Sequence, residues 1–242
     1  MINVTVWNEN HHEQTSESVR AIYPEGIHGC IAEFLGRDEE LNVHVATLDM
    51  PECGLTDEVL ESTDVLLWWG HCRHGLVPDE IAEKVYNRVM RGMGFIALHS
   101  AHFSKPFTKL MGSTCSLKWR DGDRERVWCI LPNHPIAKGI PEQFVIEREE
   151  MYGERFDIPT PDELVFIGWF NGGEVFRSGC CWHKGLGKVF YLQPGHEENP
   201  TYHNPNIQKI LTNAVHWAAP NFIAEKIECP HVEAPENEYI SR

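Results

Sequence analysis

Histidine recurs in this chain at points where a strand should run out. The stretches are Asn10-His11-His12-Glu13, Trp68-Trp69-Gly70-His71, Ala97-Leu98-His99-Ser100-Ala101-His102, Cys181-Trp182-His183 and Pro194-Gly195-His196-Glu197-Glu198. In an open parallel α/β sheet the carboxyl ends of the strands share one crevice, and ligands bind there. Imidazoles gathered in such a crevice serve metal binding or acid–base chemistry near neutral pH. No one of these histidines is decisive alone; the repeated position is the signal.

The stretch Gly94-Phe-Ile-Ala-Leu-His99-Ser100-Ala101-His102 reads as a strand turning sharply into a helix, where a nucleophile elbow would sit. His99 occupies the tip, and Ser100 lacks flanking glycines, so a Ser or Cys nucleophile is disfavoured. The alternative is a capping turn with Ser100 as cap and His99 hydrogen-bonded beneath it. In Trp69-Gly70-His71-Cys72-Arg73-His74, two histidines three apart can face one cavity, as zinc sites require. His74 is equally suited to capping the next helix. In His196-Glu197 an acidic neighbour can orient the imidazole or raise its basicity.

Glu9, His12 and Glu13 follow the first strand. No Gly-x-Gly-x-x-Gly or Walker pattern accompanies them, so no nucleotide cofactor is expected. Glu149-Glu150-Met151-Tyr152-Gly153-Glu154 is a second acidic cluster. Paired carboxylates can share a proton or bind a metal, and they also form solvated edges. Trp7, Trp68, Trp69, Trp169 and Trp182 stand near strand ends, where indoles either stack on sugar rings or fill the core.

The elements that must position these residues follow from apolar patterning. Asn3 to Trp7, Asn42 to Leu48, Asp64 to Trp69 and Gly94 to Leu98 are short apolar runs suited to strands buried on both faces. Helical patterns at Ile27 to Leu35, Thr56 to Glu61 and Pro78 to Met90 lie between them. This alternation predicts a doubly wound parallel sheet. The second half predicts short strands at Val127 to Leu131, Phe144 to Arg148, Leu164 to Phe170, Glu174 to Phe176, Cys180 to His183 and Lys188 to Leu192. A closing amphipathic helix spans Asn206 to Ala218. Residues 1–219 read as one domain, and 220–242 as a polar tail or arm that packs on a neighbour, which suggests a homo-oligomer.

The 242 residues carry a formal net charge of -15 with His neutral. That balance disfavours nucleic acid and anionic membrane and suits a neutral ligand such as a sugar. No signal peptide or membrane span is expected, so the predicted location is cytoplasmic. Eight cysteines without a CxxC pair predict reduced, mostly buried thiols rather than a structural zinc cluster.

Several stretches together resemble the ThuA-like, or trehalose-utilisation, family over about residues 2 to 219. They are Trp7-Asn8-Glu9-Asn10 with His12-Glu13, Tyr23-Pro24-Glu25-Gly26-Ile27-His28, Trp68-Trp69-Gly70-His71, Leu98-His99-Ser100-Ala101-His102-Phe103-Ser104-Lys105, Glu150-Met151-Tyr152-Gly153-Glu154, Phe176-Arg177-Ser178-Gly179-Cys180 and Pro194-Gly195-His196-Glu197. The resemblance implies a flavodoxin-like sheet similar to class I glutamine amidotransferases, with added antiparallel strands in the C-terminal half. It also implies a role in sugar catabolism beside a nicotinamide-dependent sugar dehydrogenase. The amidotransferase pattern departs at the nucleophile, where His99 replaces cysteine, so glutaminase activity is not expected.

The resulting expectation is an isomerase or hydrolase of a disaccharide or its keto-sugar derivative, with a divalent metal such as zinc. His71, His99 and His196 are the expected metal ligands. His99, Glu150 and Glu13 are the expected acid–base residues, and Glu9, His12, Trp69, His102, Tyr152 and Glu197 are expected to bind substrate. The alternative is a non-catalytic sugar-binding protein that assists the dehydrogenase.

Overall fold

The structure is a computed structural model, and it describes residues 1–231. The chain opens with β1 (Ile2–Asn8), passes through α1 (His12–Thr15), α2 (Glu17–Ile22) and α3 (Gly26–Leu35), and returns as β2 (Leu41–Thr47). Then come α4 (Asp57–Ser62), β3 (Val65–Trp69), α5 (Asp79–Arg91), β4 (Gly94–Leu98) and α6 (Lys105–Met111). Four mostly antiparallel crossings follow: β5 (Lys118–Cys129), β6 (Gln143–Gly153), β7 (Glu163–Phe170) and β8 (Val175–Lys184). β9 (Gly187–Leu192) and α7 (Pro205–Ala218) close the domain.

All nine strands join one sheet in the order β2-β1-β3-β4-β9-β8-β7-β5-β6. The first five in that order run parallel, in the flavodoxin-like arrangement, and the remaining pairings are antiparallel. The expected α/β class with an antiparallel C-terminal extension is therefore the observed one. β3 and β4 are buried at every position, as apolar runs covered on both faces must be.

One core layer joins Val4, Val6 and Ile96 of the sheet to Ile27 and Ile31 of α3 and Ile207 and Leu211 of α7. The other joins Trp7, Leu66, Trp68 and Phe95 to Ile81, Val85 and Val89 of α5 and Phe107 of α6. Each such side chain contributes roughly 1.5–3 kcal/mol on burial. Local signals set the helix starts. The Thr56 hydroxyl accepts from the Val59 N–H at the start of α4, and the Asn204 side chain caps α7 ahead of Pro205.

Three expectations change. Glu174 to Phe176 and Cys180 to His183 form one strand, β8, because Arg177, Ser178 and Gly179 continue the extended backbone between them. β5 begins at Lys118, well before Val127, because its first half alternates charged residues and carries no apolar run. His183 leaves the crevice. β8 is antiparallel to β9 and pairs His183 with Lys188, so its last residues lie at the amino edge of the parallel strands.

Past α7, the Ala224 N–H donates to the Arg91 carbonyl at 2.9 Å, and Arg91 Nε donates to the Ala224 carbonyl at 2.6 Å. The start of the predicted tail thus lies against its own chain, and residues 232–242 lie outside the described residues. No helix among the described residues is long and apolar enough to cross a membrane.

Candidate functional site

β1, β3, β4 and β9 end on the same edge of the sheet, and the residues that follow them carry His12, His71, His99 and His196. The antiparallel extension completes the site. β6 is the last strand in the order, yet its Glu149 and Glu150 reach residues 195, 196 and 99. The extension therefore curls over the carboxyl edge of the parallel strands.

His99 stands at the elbow after β4 with φ +51°, a left-handed backbone conformation sparsely used by residues other than glycine. It is fully buried. Its Nδ1 lies 2.7 Å from the Gln193 carbonyl, which can only accept. Its Nε2 lies 2.9 Å from Oε2 of Glu150, and the phenol oxygen of Tyr152 lies 3.3 Å from the same nitrogen. The Tyr152 ring stacks on the imidazole at 4.8 Å. Burial opposes charge on His99, but the Glu150 carboxylate outweighs it and holds the imidazolium up at about 9. Burial likewise opposes ionisation of Glu150, and the hydrogen bond from His99 reverses this and pulls its carboxyl below the ordinary range. Burial holds the Tyr152 phenol well above its ordinary range, so it remains a donor.

Both ring nitrogens of His99 are thus occupied, and the expected ligand set of His71, His99 and His196 does not assemble. The rings do gather, with His196 at 5.6 Å from His99 and 6.0 Å from His71. Ligand atoms converge instead in other groups: His12 with His71 and Glu197, His12 with Glu9 and Cys72, and His196 with Glu150 and Asp121. The first of these carries two imidazoles and a buried carboxylate. His71 Nδ1 lies 3.0 Å from His12 Nε2 and 3.1 Å from Glu197 Oε1, and His12 Nε2 lies 3.5 Å from the same oxygen. Glu197 Oε2 is buried without a hydrogen-bond partner among the described residues, although His196 Nε2 lies 3.8 Å away. Burial alone would raise the Glu197 carboxyl, but His71 and the neighbouring imidazoles pull it down to about 2. Two imidazole nitrogens and an ionised carboxylate form a donor set of the catalytic-zinc type.

Glu9 supports this set from beneath. Its Oε2 accepts the backbone N–H groups of His71 and Arg73, each at 2.8 Å, and its Oε1 accepts the Cys72 N–H at 3.2 Å. Burial works against its ionisation, and these backbone donors overcome it, so its pKa falls. Its oxygens are committed to the loop, which gives Glu9 a bracing role in place of the expected substrate contact. The Cys72 thiol is pushed up to about 11 by burial and by Glu9, so it stays protonated.

Glu13 lies apart from the His99 cluster. Its Oε1 accepts from Asn8 Nδ2 at 2.6 Å and from the Ile27 N–H at 2.9 Å, at the start of α3. It lines a separate cavity of about 430 Å³ with Asn10, Arg20 and His28. Trp69 is fully buried and donates its indole N–H to the Gly195 carbonyl at 3.0 Å, so no sugar can stack on it.

His102 does face the cleft. Its Nδ1 donates to the Cys115 carbonyl at 2.8 Å, and burial drops its pKa to about 3, which leaves Nε2 as a neutral acceptor. The cleft measures about 220 Å³ and is lined by His71, Ser100, His102, Phe103, Trp119, Glu150 and Tyr152. Burial also lowers His74, to about 4. His203 stacks on Tyr23 away from the cleft.

Four residues of the site carried no distinct signal. Glu149 is fully buried and gathers the N–H groups of Glu150, Gly195 and His196 at 2.9, 3.0 and 3.1 Å and the Thr201 hydroxyl at 2.7 Å. It fastens β6 to the loop after β9. Gly195 permits this approach, because a Cβ there would lie 2.2 Å from the Tyr202 hydroxyl. Gln193 links His99 and Glu150 through its backbone and side chain. Trp119 is 59% exposed at the cleft mouth and pairs with Tyr152 across β5 and β6. Phe103, 39% exposed, lines the same cleft. Trp119 sits in a polar run, and Phe103 was visible only as part of a motif.

The family model described as trehalose utilisation matches residues 3–218. No curated protein matches the chain. Among solved structures, a ThuA-like protein of Parabacteroides merdae superposes with a TM-score of 0.65 at 16% identity, covering 93% of this chain and 92% of the other. A ThuA-like protein of Bacteroides uniformis gives 0.64 at 15% identity over 89% and 90%. A cytoplasmic protein of Salmonella typhimurium gives 0.62 at 11% identity over 90% and 99%.

Proposed function

Because the chain belongs to the trehalose-utilisation (ThuA) family, we propose that it moves a proton on a keto-sugar derived from a disaccharide, as an isomerase or hydrolase, with Glu150 as the base. The observation that carries this is the buried ion pair between His99 and Glu150, placed so that Glu150 also lines the open cleft. A base must reach the proton it abstracts, and Glu150 is the carboxylate that lines the cleft. His99, fully enclosed, is a positioning residue: it fixes the carboxylate and keeps it ionised.

The Tyr152 hydroxyl, held protonated, can donate to a carbonyl oxygen as negative charge grows there. His102 Nε2 can accept from a sugar hydroxyl. Trp119 and Phe103 at the mouth suit the apolar face of a pyranose ring.

The donor set of His12, His71 and Glu197 fits a divalent metal such as zinc, and the orphaned Glu197 Oε2 supports that fit. A metal bound there would polarise a carbonyl or activate water. A cytoplasmic location and supply of the keto sugar by a nicotinamide-dependent dehydrogenase belong to the same proposal. Its test is turnover: trehalose and its 3-keto form incubated with the protein alone and with such a dehydrogenase. Product formed with the protein alone, and lost in Glu150→Gln, supports an enzyme. Product that needs the partner and survives that substitution supports a sugar-binding accessory protein.

A further inference from the structure

Behind the site lies a buried carboxyl that the chemistry above does not use. Glu125, in β5, is fully enclosed. Its Oε1 lies 3.0 Å from the Ser178 hydroxyl of β8, and that hydroxyl lies 3.3 Å from Oε1 of Gln193. Oε2 has no partner among the described residues. A serine hydroxyl carries one proton. Here it faces two acceptors, so an ionised Glu125 would leave either its own oxygen or that of Gln193 unsatisfied in the interior, a costly arrangement. A protonated Glu125 removes the conflict: the acid donates to Ser178, and Ser178 donates to Gln193.

The surroundings agree. The charged groups that act on Glu125 are the Glu149 carboxylate on adjacent β6 and His99 at the elbow. β7 offers no side chain at Gly168, where a Cβ would lie 2.3 Å from Glu125 Oε1 and 2.5 Å from the Ser178 hydroxyl. Burial and Glu149 hold the carboxyl proton on, against the weaker pull of Ser178 and His99.

We infer that Glu125 is a neutral carboxylic acid whose proton orders the chain Glu125–Ser178–Gln193, and that it is thereby a positioning residue for the His99–Glu150 pair. Gln193 is the junction. Its carbonyl accepts His99 Nδ1–H at 2.7 Å, and its side-chain amide donates to the Glu150 carbonyl at 3.0 Å. One residue thus fixes both partners, and its side chain is turned by Ser178. The positioning role rests on the reading of Glu150 as the base; the protonation of Glu125 does not.

The test uses the full chain. Infrared spectra at neutral pH should show a protonated-carboxyl C=O band in the wild type that is lost in Glu125→Gln. The glutamine keeps a donor toward Ser178, so the ring N–H resonances of His99 should stay in place. Ser178→Ala removes the relay and leaves the acid. It should shift those resonances and lower kcat roughly 3- to 10-fold with KM little changed. Absence of the band in the wild type, or its survival in Glu125→Gln, overturns the neutral acid. Unchanged His99 resonances in Ser178→Ala overturn the positioning role. If no sugar is turned over by the wild type, the proposed activity fails, while the infrared and resonance measurements still decide this inference.

Discussion

His99 Nε2 and Glu150 Oε2 meet at 2.9 Å in a site where the other imidazole nitrogen already donates to a backbone carbonyl. With Nδ1–H committed to an acceptor, an ionised Glu150 requires the second proton on Nε2, so the pair is an imidazolium and a carboxylate. The His99 pKa rises on folding from its ordinary value near 6.5 to about 9. A raised folded value stabilises the native state fully below the unfolded pKa, and the contribution declines between about 6.5 and 9. Thermal melts across that interval should therefore show a downward trend that Glu150→Gln flattens. A wild-type melting temperature flat across it, with the variant parallel, would remove the imidazolium.

Truncating one partner of a buried pair leaves the other charge uncompensated. Glu150→Ala should cost about 3–5 kcal/mol of stability, read by denaturant unfolding. A cost below about 1 kcal/mol would mean that the two groups are not charged together.

Glu9 holds the backbone of residues 71 to 73 through both carboxylate oxygens. If His12, His71 and Glu197 bind a metal, Glu9→Ala should weaken zinc affinity about 10- to 100-fold, as loss of an outer support does. His71→Ala should abolish stoichiometric binding. Calorimetry with zinc decides both, and equal affinity in His71→Ala would move the metal elsewhere.

Trp119 is a large, exposed aromatic beside a polar cleft. Stacking geometry is worth about 0.5–1.5 kcal/mol, so Trp119→Ala should weaken sugar binding or raise KM roughly 2- to 10-fold with kcat nearly unchanged. An unchanged KM would place the sugar away from this lip.

The parallel half of the fold was readable because β1, β3 and β4 are apolar runs bounded by glycine or charge. The strand-end positions of His12, His71 and His99 follow from those three strands, and that of His196 from the apolar run Lys188 to Leu192 in the second half. Strand direction in the second half is not written in a period-2 pattern, so His183 was grouped with the others although antiparallel β8 carries it to the opposite edge. Nor does any local pattern encode the curl that brings β6 over the crevice. Glu150 was recognisable as a candidate by its motif, whereas Glu149, which ties that curl down, looked like its duplicate. Hydrogen-bond occupancy was the deepest gap. Composition marks His99 and Trp69 as candidates for ligation and stacking, and only the packed structure shows both ring nitrogens of His99 engaged and the Trp69 ring enclosed.

In the isomerase form of the proposal, Glu150 acts as a base toward carbon. In D2O, the 3-keto form of trehalose incubated with the wild-type protein should take up deuterium at the carbon beside the carbonyl, followed by proton NMR. Glu150→Gln, folded as judged by its melt, should slow that uptake about 10²- to 10⁴-fold. Uptake at the same rate in wild type and Glu150→Gln, or none above the protein-free control, would contradict it.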